Sequence, residues 1–107
     1  MSARLESLPA VVERVTTSGL DPIVAIWIND RPNGGTVILQ CYDKAWTACW
    51  GATGTHRVEV FFLSCDVDYL VGKLIGSPRA TKREQTYLGK IVEAVQTAMR
   101  GTRDGAA

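Results

Sequence analysis

Ser64, Cys65, Asp66 and Asp68 stand within five residues of one another. A hydroxyl, a thiol and two carboxylates are groups that nucleophilic and acid–base catalysis recruit. A triad also needs a base, and the only histidine, His56, has no nucleophile-elbow spacing around it. Two acids two residues apart fit the start of a helix better, where carboxylates meet free N–H groups and the positive end of the dipole. Cys41, Cys49 and Cys65 are odd in number and form no Cys-x-x-Cys pair. With His56 they match a zinc site by count alone, without its short ligand spacings, so all three are expected as buried, reduced thiols. Gly51-x-x-Gly54 lacks the lysine of a phosphate loop and reads as a tight turn from strand to helix. No catalytic residue, metal site or cofactor is assigned, and the chain reads as non-enzymatic.

Two further groups of residues point to binding. Residues 79–103 carry Arg79, Lys82, Arg83, Lys90, Arg100 and Arg103 against Glu84 and Glu93, a local charge of +4 in a chain whose net charge is +1. Such a stretch suits an acidic protein surface or phosphate, although cations on a helix also simply solvate it. Between Tyr42 and Leu74 lie two of the three tryptophans, both phenylalanines and two of the three tyrosines. Trp46, Trp50, Phe61, Phe62 and Tyr69 could stack bases or a ligand, but large aromatics dominate the cores of small domains, so core packing is favoured over a stacking platform. Trp27 is ambiguous. It alternates with Val24, Ile26 and Ile28 on an apolar run, so either it or those neighbours face a partner. The candidate partner-binding residues are therefore Arg79, Lys82, Arg83, Lys90 and Trp27.

The elements that must position these residues follow from periodicity. Residues 11–17 are rich in β-branched side chains and read as a strand, preceded by a short N-terminal helical turn; a helix through residues 2–15 would have to accommodate Pro9. Residues 23–28, 36–42 and 45–50 supply three more strands, joined by the loop Asn29 to Gly35 and the gap Asp43-Lys44. Trp46, Ala48 and Trp50 share one face and form an apolar pad. Val58, Phe61, Phe62 and Cys65 mark a short helix from residue 55 or 56 to 64. Asp66 is placed to cap a second, which ends near Gly76 and covers the pad. Thr81 and Glu84 have capping-box spacing, and Leu88, Ile91, Val92, Val95 and Met99 carry a third helix to Arg100, with Gly101 as terminator and 102–107 as a flexible tail. Strands first and helices after predict an α+β fold: an antiparallel meander of about four strands, then two short helices and one longer C-terminal helix on one face.

A chain of 107 residues with 46% hydrophobic and 21% charged residues is expected to form a single domain, residues 1–107. Its longest apolar run is far shorter than the roughly 20 residues of a membrane span. The N-terminus lacks the apolar core of a signal peptide. A cytoplasmic protein is expected, with no membrane partner.

Cys41-Tyr42, Trp46, Trp50-Gly51, Gly54, Phe61-Phe62-Leu63-Ser64-Cys65-Asp66 and Tyr69-Leu70 resemble small accessory proteins encoded by bacteriophages and prophages. The Trp-Gly and Phe-Phe-x-x-Cys-Asp blocks are the specific parts, within residues 20–75. That group has no assigned catalytic residues, so no site is carried over. The resemblance implies a cytoplasmic protein in a bacterial host that acts on a host protein or ribonucleoprotein complex. The expected activity is inhibition of a host defence complex through surface contacts, as anti-CRISPR proteins do; the alternative is nucleic-acid binding through the basic C-terminal helix.

Overall fold

The computed structural model describes residues 2–54 and 57–104. Four strands, β1 (Ala10–Val15), β2 (Ile23–Arg31), β3 (Gly34–Cys41) and β4 (Lys44–Trp50), form one antiparallel sheet in the order β1-β2-β3-β4. Helices α1 (Val58–Ser64), α2 (Val67–Ile75) and α3 (Lys82–Asp104) follow. This is the predicted α+β meander, with two short helices and one long one. Residues 2–9 precede β1 without regular structure, so the helical turn expected there is absent. The expected start of the first helix at 55 or 56 lies outside the described residues.

Alternation sorts every strand. Ile23, Ala25 and Trp27 of β2, Val37, Leu39 and Cys41 of β3, and Trp46, Ala48 and Trp50 of β4 are buried on one face. All belong to one core with the inner faces of the helices. The indole pad is covered as expected. Trp50 packs edge-on against Phe61 at 5.4 Å and donates from Nε1 to the Tyr69 hydroxyl at 2.9 Å, while Trp46 meets Tyr87 at 6.0 Å. On α3 the stripe Leu88, Ile91, Val92, Val95 is fully buried, each side chain contributing about 1.5–3 kcal/mol by leaving water.

Several local expectations are corrected. The β3–β4 turn is Tyr42-Asp43 rather than Asp43-Lys44, and Tyr42 adopts φ 58, a left-handed conformation unusual for a residue with a Cβ. Gly34 and Gly35, read as turn glycines, have no positive φ and lie inside β3. Asp66 occupies the N-cap position of α2 but its side chain makes no capping bond. Helix α3 runs through Gly101 to Asp104, because one open, solvent-facing glycine costs only about 1 kcal/mol in a helix that tertiary contacts already anchor. Residues 102–104 are thus helical, and 105–107 lie outside the described residues. Of the cysteines, only Cys41 is buried; Cys65 is half-buried and Cys49 is exposed, because it alternates with the inward Ala48 and Trp50.

Candidate functional site

Helix α3 begins where the sequence places its cap: Glu84 N donates to Thr81 Oγ1 at 3.1 Å. The turn ahead of it is closed by Arg79 N and Ala80 N, which donate to Ser77 Oγ and Ser77 O. Lys82, Arg83 and Lys90 are all exposed, and with Thr86 and Tyr87 they line one shallow hollow of about 460 Å³. Spacings of three, four and eight along a helix place such residues side by side. Arg79 is exposed in the preceding turn and does not line the hollow. Lys82 and Thr86 also border a groove of about 420 Å³ between α2 and α3, whose apolar wall is Val67, Val71 and Ile75.

The ion pairs among the described residues are Asp30–Arg31 and Arg57–Glu59, so none of these four cations is neutralised by a carboxylate. Lys82 and Arg83 also sit at the positive end of the α3 dipole, where cations are unfavourable. The floor of the hollow is anchored. The Tyr87 hydroxyl donates to Cys41 Sγ at 3.3 Å, and the thiol in turn meets Asp21 O at 3.5 Å. The bond to Cys41, with burial and the nearby Cys41, Asp21 and Asp43 charges, pushes the Tyr87 pKa up to about 12. The bond ties the α3 side chain Tyr87 to the end of β3.

Trp27 does not join this surface. It is fully buried, its Nε1 donates to Glu13 Oε1 at 2.7 Å, and its ring packs edge-on to Phe62 at 5.1 Å. The expectation that it contacts a partner is corrected, because the helices cover its face of the sheet. The opposite face therefore carries Val24, Ile26 and Ile28, all half-buried. Its central row across the four strands is Val12, Ile26, Ile38 and Thr47. Ala10, Ile28, Thr36 and Cys49 form one flanking row. Arg14, Val24, Gln40 and Ala45 form the other.

The Ser64–Asp68 segment spans the end of α1 and the start of α2. Ser64 Oγ donates to Phe61 O at 2.7 Å. Burial pushes the Cys65 thiol up; a hydrogen bond with Ser64 pulls the other way, and the Asp66 charge adds to the rise. Among the described residues, no three of His, Cys, Asp and Glu gather as metal ligands, and no helix is long and apolar enough to cross a membrane.

Two polar residues that sequence reasoning passed over hold the helical layer in place. Asn29, read only as the start of a loop, accepts from Val58 N at 2.8 Å and donates to Glu59 Oε1 at 2.9 Å, so a strand residue caps α1. Gln96, buried on the apolar stripe of α3, donates to Phe62 O and Cys65 O at the end of α1. A polar residue on an otherwise apolar helix face was the available signal for Gln96.

Burial opposes the charge on Glu59, but hydrogen bonds from Asn29, its own backbone and Arg57, together with the Arg57 charge, outweigh it and hold the carboxyl below the ordinary 4.5. A lowered folded pKa stabilises above the unfolded value and loses that contribution as pH falls through the folded one. Thermal melts of wild type and Glu59→Gln from about pH 7 to about pH 3 should show the variant less stable at neutral pH and the gap closing below about 4.5. A gap that is constant with pH would remove the charge from the argument.

The chain matches the family model Phage_phiTE_072, described as a phage family, over residues 9–81. That span holds the whole sheet, α1, α2 and the turn leading into α3. No curated protein and no solved structure matches it.

Proposed function

We propose that this chain, which belongs to that phage family, is an accessory protein that works without catalysis, by occupying an acidic surface of a host defence complex in the manner of an anti-CRISPR protein. The observation that carries the reading is the cluster Lys82, Arg83 and Lys90 around one hollow, none of them ion-paired to a carboxylate among the described residues. Unpaired cations at a helix N-terminus cost stability, and an acidic partner offsets that cost. The adjoining α2–α3 groove favours a protein over a nucleic acid. Its wall of Val67, Val71 and Ile75 offers apolar surface that a phosphate backbone would leave uncovered.

The test is functional. Expressed in a host with an active CRISPR system, the wild-type protein should restore plaquing of a targeted phage, and Lys82→Glu, Arg83→Glu, Lys90→Glu together should abolish it. The purified triple variant should fold as well as wild type or slightly better. It should bind the host complex about tenfold or more weaker at low salt, because steering falls with the charge. Plaquing restored equally by both proteins would remove the hollow as the interface, and no restoration by wild type would remove this target. Tight DNA or RNA binding with a steep salt dependence would instead favour nucleic acid as the ligand.

A further inference from the structure

We infer that the uncovered face of the sheet is the interface of a symmetric dimer, with a second copy of this chain as its occupant. The proposal is independent of the basic hollow, which lies on the helical layer. Strand β2 contains the unbroken apolar run Ile23-Val24-Ala25-Ile26-Trp27-Ile28. Runs of that kind belong to strands buried on both faces, whereas an antiparallel sheet with one solvated face alternates apolar and polar residues. Val37-Ile38-Leu39 on β3 repeats the feature beside it. The helices cover only the Trp27 side, so the cover for Ile26 and Ile38 comes from outside the described chain.

Self-complementarity identifies the occupant. Of the three rows on this face, only one contains a charge, Arg14, and it stands at a corner of the sheet on edge strand β1. Two copies packed face to face about a two-fold axis parallel to the strands bring β1 over β4 of the second copy, and Arg14 then faces Ala45. With the axis across the strands, β1 lies over its own counterpart and Arg14 faces Ala10. In either arrangement no two like charges meet, and the aliphatic row Val12, Ile26, Ile38 packs against itself, as an isologous interface requires. Strand spacing and rise give a flat footprint of about 500 Å² per copy. The pair then reaches about 1,000 Å², the lower bound of a specific interface and consistent with micromolar rather than obligate dimerisation. The product is a four-layer sandwich that turns both basic hollows outward.

Sedimentation of the purified wild-type chain from about 1 µM to about 1 mM should show a monomer converting to a dimer. Ile26→Glu and Ile38→Glu place a carboxylate outside the core, so each should keep the wild-type circular dichroism and weaken dimerisation about a hundredfold or more. Wild type that stays monomeric throughout, leaving the face to another partner, overturns the proposal. So does a dimer that survives both substitutions. Should the variants fail to fold, wild-type Cys49 decides, since its exposed thiol lies on the same face. Pulse alkylation read by mass spectrometry should show Cys49 increasingly protected as protein concentration rises, and a rate independent of concentration overturns the dimer.

Discussion

Trp27→Ala should cost about 3–5 kcal/mol of folding stability, which lowers the melting temperature by about 15 °C or more in a chain of this size. The indole is fully buried, and its removal takes away both the transfer free energy of a large ring and the edge-on contact with Phe62. The lost hydrogen bond matters less. Glu13 is exposed and regains water when Trp27 Nε1 is gone, so Trp27→Phe should recover most of the stability. Phe62→Ala should be about as severe, and the double variant should fall short of the sum by about 0.5–1.5 kcal/mol, the coupling of the two rings. Thermal and urea melts check all three. A Trp27→Ala protein that melts with wild type would return the indole to the surface.

Gly34→Ala should be the most damaging change of a single methyl group, at about 3 kcal/mol or more. A Cβ at Gly34 would run into the Trp50 carbonyl, and one at Gly35 would sit 2.7 Å from Ile28 O and 2.8 Å from Val58 Cβ. At Gly34 the obstacle is backbone, which cannot rotate away. At Gly35 it is backbone on one side and the first residue of α1 on the other, so Gly35→Ala should cost about 1–3 kcal/mol while pushing α1 off the sheet. Gly72→Ala is the control. Gly72 lies inside α2 with open space where a Cβ would go, and alanine there should stabilise by about 0.5–1 kcal/mol. If Gly34→Ala and Gly72→Ala shift the melt alike, close approach is not what the sheet glycines provide.

The meander, the indole pad, the capped start of α3 and its apolar stripe were legible because each depends on spacing along a single segment. Alternation puts Trp46, Ala48 and Trp50 together in any register. Helical periodicity likewise aligns Leu88, Ile91, Val92 and Val95. The basic residues of α3 were legible for the same reason. Lys82, Arg83 and Lys90 stay neighbours as long as the segment is helical, whereas Arg79, one turn earlier, depends on how the chain bends at Ser77.

Tertiary structure alone decided whatever required knowing which face of the sheet the helices would take. The β2 run is apolar on both faces, so periodicity could not choose between Trp27 and Ile26, and the packing of Phe62 on Trp27 settled it. The same choice put Cys49 outside and Cys41 inside. Asn29 capping α1, Gln96 closing its far end, and glycine at 34 and 35 for backbone and helix approach all join positions well apart in the chain. Such contacts leave no periodic trace, because their cause is the distance between two elements in space and not the order of residues within one.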